Sequence, residues 1–128
     1  MAAKKSDRRY TKEHEWVVLD GDIATVGITD HAQEQLGDLV HVELPELDRE
    51  VAEGESCAVV ESVKAASDIF APLAGKVVEI NETIVEDPSI VNNDAEGEGW
   101  FFRIEVDDPD AFEALMDQDA YEEFLETL

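Results

Sequence analysis

Residues 61–68 read ESVKAASD, and they place Lys64 between two runs of strand-forming residues. The runs are CAVVESV (57–63) and SDIFAP (67–72), whose β-branched and aromatic residues favour strands. Only the three residues KAA separate them, so the connection is short enough for a β-hairpin with the lysine at or beside its tip. A lysine at a tip projects into solvent, where a second protein can reach it, although the usual role of a turn lysine is solubility.

The charge of the chain narrows its possible partners. The 128 residues, 44% of them hydrophobic, suit one globular domain with its own core. Against 33 Asp and Glu there are only 9 Lys and Arg, a net charge of −24. Such a surface repels nucleic acid and anionic membrane surfaces, so neither is an expected partner. The basic residues concentrate at the start, and we expect residues 1–9 to be a disordered basic lead and 10–128 to be one folded domain.

The same acidity suggests that the protein works at high salt concentration. Acid-rich, lysine-poor surfaces suit high salt, where electrostatic screening shortens to about 3 Å near 1 M. We therefore predict a halophilic source, the alternative being an acidic protein that works at ordinary salt concentration.

Cys57 is the only cysteine, so no intramolecular disulfide can form and a reducing cytoplasm is expected. No apolar run approaches the roughly 20 residues of a membrane span.

Outside the hairpin, the pattern predicts an all-β body of short strands with one small internal helix and a helical C-terminal cap. The helix is expected at 29–37, with Thr29 or Asp30 capping its start and Gly37 ending it. The remaining strands are expected at 14–20, 22–28, 39–44, 75–81 and 100–106.

Three further expectations concern detail. In LVHVEL (39–44), Val40, Val42 and Leu44 alternate with polar residues, so all three are predicted to be buried. The stretch 82–99 is predicted to be mostly loop, because it contains a proline and a Gly-Glu-Gly run. At the C-terminus, helices are expected after Asp108-Pro109 and from a capping box of Asp119 and Glu122, with apolar stripes docked on the core.

Conventional catalytic arrangements are absent from the sequence. The three histidines show no HExxH spacing, and the glycines form neither a P-loop nor a dinucleotide fingerprint. His41 is expected on a polar strand face, and Cys57 is expected to be a small buried hydrophobic residue. Lys64 remains as the candidate functional residue, since a lysine on a stiff turn among small residues is suited to acylation by a partner enzyme.

A family resemblance accompanies these residues. The run ESVKAASDIFAPLAGKVVEIN (61–81) resembles the lipoyl attachment region of the glycine cleavage H proteins. YTKEHEWV (10–17), GITDHAQEQLGDLVHVELPE (27–46), VNNDAEGEGWFFRIEV (91–106) and AYEEFL (120–125) are similar to the same family in the same order. The resemblance spans essentially residues 10–126.

This resemblance implies a fold and a role. The fold would be a lipoyl/biotinyl-type flattened β-sandwich, or barrel-sandwich hybrid, and the protein a monomeric, non-catalytic carrier with lipoic acid joined to Lys64. A lipoate-attaching enzyme would install the arm, and a pyridoxal-phosphate-dependent glycine decarboxylase would load it with an aminomethyl group. A tetrahydrofolate-dependent aminomethyltransferase would unload it, and dihydrolipoyl dehydrogenase would reoxidise the dithiol.

The resemblance also assigns site residues. Glu15 and Asp68 match the family's cleft acids, which would hold the cationic end of the loaded arm; Glu13 and His31 are further candidates. The flanks of the lysine are interpreted as the context that the lipoate-attaching enzyme recognises: Glu61, Ser62, Val63 and Ala65.

Other functions stay open at this point. The related carriers, lipoyl domains of 2-oxo acid dehydrogenases and biotinyl carriers, have DKA-like and MKM-like flanks that differ from ESVKAAS. An H-like protein that only relays lipoate to other lipoyl proteins is not excluded by the sequence. From another class, the chain could be an interaction module whose lysine is never modified.

Overall fold

Two antiparallel sheets share the main core in the computed structural model, which describes residues 8–128. The larger sheet has the strand order β1-β2-β3-β9-β8-β5 and the smaller one β4-β6-β7. In chain order the strands are β1 (Arg9–Tyr10), β2 (Glu15–Asp20), β3 (Ile23–Ile28), β4 (Leu39–Glu43), β5 (Glu50–Val51), β6 (Ser56–Ser62), β7 (Ala66–Phe70), β8 (Gly75–Ile80) and β9 (Phe102–Val106).

Short helices complete the fold, and the one predicted inside the chain is confirmed. Thr29 caps it, since its hydroxyl oxygen accepts the Ala32 N–H at 3.2 Å, and Gly37 ends it with a φ of 82°. Among residues 8–128, no helix is long and apolar enough to cross a membrane. The helices are α1 (Asp30–Leu36), α2 (Thr83–Glu86), α3 (Ser89–Asn93), a 3-10 helix (Pro109–Ala114) and α4 (Gln118–Glu126).

The core lies between the two sheets because alternate residues of each point inward. Val17 and Ile104 of the larger sheet and Val42 and Val60 of the smaller one are buried in the same cluster. A second cluster, formed by Tyr10, Trp16 and Tyr121, attaches α4 to the start of the larger sheet. The rings of Tyr10 and Tyr121 stack with centroids 4.5 Å apart. The predicted docking of the C-terminal stripe is confirmed for Tyr121, Phe124 and Leu125, whereas Leu128, predicted in the same stripe, is 66% exposed.

The loop predicted at 82–99 is wrong in part, because α2 and α3 lie within it. Each helix is anchored by one fully buried residue, Ile84 in α2 and Val91 in α3. Pro88 lies at the N-cap of α3, where the missing N–H costs nothing. The proline therefore starts a helix here rather than preventing one.

Val40 is also placed differently from the prediction. Leu39 pairs with Ser62 and His41 pairs with Glu61, so Val40 is an extra residue without a partner of its own on β6. This β-bulge interrupts the alternation, and Val40 is 57% exposed whereas Leu39 is buried. The predicted burial of Val42 is confirmed.

The two ends of the described chain depart from the predicted boundaries. Arg9 pairs with Val17, and the Arg8 guanidinium bonds Glu96 at 3.0 Å, so these two residues belong to the fold. The rest of the predicted basic lead, residues 1–7, lies outside the described residues. At the other end, Asp117 rather than Asp119 caps α4, accepting the N–H of Ala120 at 2.9 Å.

Candidate functional site

The turn that joins β6 to β7 is held by Ser62. The Ser62 hydroxyl oxygen accepts the N–H groups of Lys64 and Ala65, each at 3.1 Å. The Ser62 N–H donates to the Ala65 carbonyl at 2.8 Å, and the hydroxyl reaches the same carbonyl at 3.2 Å. These bonds satisfy the turn's backbone locally and fix the base of the Lys64 side chain.

A further backbone hydrogen bond joins this turn to the connection between α1 and β4. The Val63 N–H donates to the Asp38 carbonyl at 3.2 Å. The Lys64 side chain lies over Gly37, where an added Cβ would come within 3.2 Å of the lysine Cε and 3.6 Å of Nζ. Lys64 is nevertheless exposed. The turn is therefore fixed in position while the amine stays accessible.

The strand boundaries around Lys64 differ slightly from the prediction. The strand expected at 57–63 ends at Ser62, and β7 begins at Ala66. Val63 is thus a turn residue rather than the last residue of a strand, and it is 71% exposed. Its backbone still bonds Asp38, the next residue in the β4–β6 register, but the chain turns immediately after Val63, so the strand predicted from its β-branched side chain is not extended to it.

A cavity of about 300 Å³ lies next to the turn, between α1 and β7. Three of the four predicted cleft residues, Glu13, His31 and Asp68, line it. Leu36 also lines it and directly precedes Gly37, the residue under the Lys64 side chain. The Lys64 side chain therefore lies beside this cavity without lining it.

Glu15, the fourth predicted cleft residue, lies apart from Asp68. Its side chain is buried, its carboxylate accepts the Thr11 hydroxyl and the Phe70 N–H, each at 2.9 Å, and burial raises its pKa to about 7. Glu15 lines a neighbouring cavity of about 330 Å³, and Glu13 borders both cavities. The structure thus brings Glu15 and Asp68 to adjacent cavities rather than to one, because Glu15 points into the body of the fold.

His14 is a cavity residue that the sequence argument missed. Its ring is 4.6 Å from that of His31, and its Nδ1 is 2.8 Å from the Tyr121 hydroxyl. Burial, and then the neighbouring His31, lower the pKa of His14. No spacing rule indicates this pair, since the two histidines come from different elements that meet only in the fold.

Cys57 and His41 lie where the sequence predicted. Cys57 is buried, and burial raises the pKa of its thiol to about 11, which makes it a poor nucleophile. His41 is exposed on β4. Within residues 8–128, no three or more His, Cys, Asp or Glu side chains are grouped to hold a metal ion.

Comparison with known proteins decides the family. The model of the family "Glycine cleavage H-protein" matches residues 8–128. The chain belongs to the glycine cleavage H-protein family. Members of this family are non-catalytic lipoyl carriers that hold lipoate covalently on a lysine, which gives the chain a carrier role in glycine cleavage.

Individual relatives agree with this assignment. The glycine cleavage system H protein of Acidiphilium cryptum is 61% identical over 96% of this chain and 99% of its own length. That of Thermotoga maritima is 56% identical over 91% of this chain and 94% of its own. A crystal structure of a glycine cleavage system H protein from Mycobacterium marinum superposes with a TM-score of 0.86 at 40% identity, covering 96% of this chain and 98% of that one. The predicted fold class, a lipoyl-type β-sandwich, is confirmed.

Proposed function

We propose that Lys64 carries the lipoyl group and that the chain is the shuttle of the glycine cleavage system. The observation that carries this proposal is the Ser62-held turn, which presents an exposed lysine at the end of the β6–β7 hairpin. The other lysines of the described chain are placed differently. Lys76 lies inside β8, paired with Glu50 and Glu105, and Lys12 precedes β2.

Attachment is an acyl transfer. The deprotonated Nζ of Lys64 attacks the carbonyl carbon of an activated lipoyl donor such as an acyl adenylate. A C–N amide bond forms, the acyl–oxygen bond to the phosphate breaks, AMP leaves and the amine proton passes to solvent. Because the amide is neutral, the arm loses the ammonium charge and can lie against the protein or leave it.

The partners follow from the carrier role. A lipoate-attaching enzyme installs the arm, and glycine decarboxylase, through its pyridoxal phosphate, loads it with an aminomethyl group. The aminomethyltransferase then releases ammonia and passes the one-carbon unit to tetrahydrofolate, and dihydrolipoyl dehydrogenase reoxidises the dithiol. Tethering makes one arm available to three active sites at high effective concentration.

The 300 Å³ cavity is the proposed resting place of the loaded arm. Its loaded end carries an amine that is cationic at neutral pH, and Glu13 and Asp68 supply carboxylates in the lining. His31 offers a further polar group. Glu15 acts from the adjacent cavity, where its buried carboxyl would ionise more readily once a cation arrives nearby. A group lying in this cavity is also less exposed to water than one at the end of an extended arm.

Intact-mass measurement tests the attachment. The chain is coexpressed with a lipoate ligase and compared with Lys64→Arg and with Lys76→Arg, a control that changes a partly buried lysine within β8. We expect one lipoyl-sized gain in the wild type and in Lys76→Arg, and none in Lys64→Arg. No gain in the wild type removes the carrier mechanism and leaves an unmodified interaction module.

We also propose that the chain works as a monomer in a salt-rich cytoplasm. The support is the net charge of −24, with self-repulsion that concentrated salt screens. The melting temperature should rise as KCl is added up to molar concentrations. A flat or falling melting temperature contradicts the halophilic assignment while leaving the carrier role intact.

A further inference from the structure

We propose that Val40 and Val63 form an apolar contact surface, centred on Glu61, on which the lipoate-attaching enzyme docks. This inference rests on the proposed attachment at Lys64 and names the surface by which that lysine is selected. Its starting point is that two large apolar side chains beside the turn are exposed, although one was expected in the core.

Val63 is the first of these side chains. At 71% exposure it is the most exposed large hydrophobic residue among residues 8–128. Its backbone is not free, because its N–H is bound to the Asp38 carbonyl and the turn is closed by Ser62. A valine held outward on a fixed backbone, next to Lys64, contacts whatever approaches the lysine.

Val40 reaches the same region from another strand. The bulge in β4 turns it out of the core, and its neighbour His41 pairs with Glu61. Val63 follows Ser62, which is the partner of Leu39. Val40 and Val63 therefore lie diagonally across the β4–β6 pair, a spacing of about 7–8 Å in an antiparallel ladder.

The same face continues onto β7. Glu61 pairs with Ala66, and both are exposed. The face therefore presents Glu61 between the exposed His41 of β4 and Ala66 of β7, with Val40 beside His41 and with Val63 and Lys64 toward the turn. Such a face fits a shallow apolar recess whose rim carries Lys or Arg to meet Glu61.

The short reach of the unmodified lysine side chain indicates which partner contacts this surface, namely the attaching enzyme. The amine of an unmodified lysine lies roughly 6 Å from its Cα, so the enzyme that acylates it must bring its active site close to the turn. The other partners act on a group at the end of a lipoyl arm, which is about twice as long. The surface around Val63 is therefore covered during attachment and not when the cargo is loaded or removed.

The test compares Val40→Thr and Val63→Thr, which keep a β-branched shape, with Val78→Thr. Val78 is a matched control, because it is a 37% exposed valine at a β-bulge of the larger sheet. Lipoyl transfer is measured with a purified lipoate–protein ligase, ATP and lipoic acid. We expect the KM for each surface variant to rise about fivefold to tenfold with kcat unchanged, and Val78→Thr to match the wild type.

A second measurement separates docking from folding and from attachment itself. Each variant is lipoylated to completion, confirmed by mass, and its reduced arm is reoxidised with dihydrolipoyl dehydrogenase, which should proceed at the wild-type rate. An unchanged KM in both surface variants, or a slowed reoxidation, overturns the docking surface while a lipoylated Lys64 still stands. A wild-type chain that gains no lipoyl group instead overturns the proposed attachment.

Discussion

The carboxylate of Glu15 accepts the peptide N–H of Phe70 at 2.9 Å, so a buried acid on β2 of the larger sheet is bonded to the last residue of β7 in the smaller one. The Thr11 hydroxyl donates to the other carboxylate oxygen. Two donors do not offset the loss of water around a side chain that is 1% exposed, and burial raises its pKa to about 7. The link between the sheets is therefore sensitive to pH.

Glu15→Gln should change the pH dependence of stability. The pKa of Glu15 is raised from 4.5 to about 7 on folding, so its contribution to stability is complete below about pH 4.5 and is lost as the pH rises to about 7. The shift corresponds to about 3 kcal/mol of unfolding free energy. Gln stays neutral and can keep the bond to Phe70. We expect urea unfolding to show the variant matching the wild type at pH 4.5 and exceeding it at pH 8.

The control for that experiment is Glu105→Gln, which changes an exposed acid on β9. The gain in stability at pH 8 relative to pH 4.5 should be seen in Glu15→Gln and not in this control. A Glu15→Gln variant that is less stable than the wild type at both pH values would contradict the assigned ionisation.

Ser62→Ala should loosen the turn without unfolding the protein. The variant loses the acceptor for the Lys64 and Ala65 N–H groups, at a net cost of about 1 kcal/mol. Amide hydrogen exchange at Ala65 should accelerate roughly fivefold. Ser62→Thr retains the hydroxyl and should restore protection, and equal exchange in both variants would show that the hydroxyl does not hold the turn.

Asp68→Asn should leave lipoylation intact and shorten the lifetime of the aminomethyl-loaded arm. The reason is the loss of one carboxylate from the cavity in which the cationic end is proposed to rest. Release of the loaded group is followed by mass spectrometry, with Glu43→Gln, an exposed acid on β4, as the control. The same assay on Glu15→Ala asks whether the adjacent cavity contributes; unchanged lifetimes in both cleft variants would remove the role of these acids.

Tyr121→Phe should weaken the attachment of the C-terminal helix. The Tyr121 hydroxyl lies 2.8 Å from His14 Nδ1 and 2.9 Å from the Thr29 hydroxyl, and its removal leaves both groups without this partner. We expect a loss of about 1–2 kcal/mol in unfolding free energy and faster proteolysis within α4. Thr29→Ser keeps both the helix cap and the hydroxyl bond, so it should behave like the wild type.

The sequence was sufficient for what depends on local pattern. Runs of strand-forming residues bounded by turns predicted most strands, and Thr29 and Gly37 marked α1 correctly. Lys64 stood out because its flanks predict a hairpin, and the hairpin is present. Each of these features is determined by residues that lie close together in the sequence.

What the sequence could not predict depends on partners far along the chain. Val40 is exposed because of its register against Glu61 and Ser62, which no alternation within β4 reveals. Glu15 follows the polar run 11–14, and only the fold brings the Phe70 N–H to it and buries it. The helices in 82–99 similarly depend on two buried side chains rather than on strong local propensity.

The two backbone hydrogen bonds between Tyr10 and Met116 are expected to form late in folding, after the hairpin that carries Lys64. Tyr10 and Met116 exchange both backbone hydrogen bonds, at 2.8 and 3.1 Å, and so close a loop of nearly the whole described chain. The hairpin that carries Lys64 closes a far shorter loop and can form first. We therefore expect a growing chain to display its modifiable lysine before its C-terminal helix has docked, so that attachment need not wait for the finished protein.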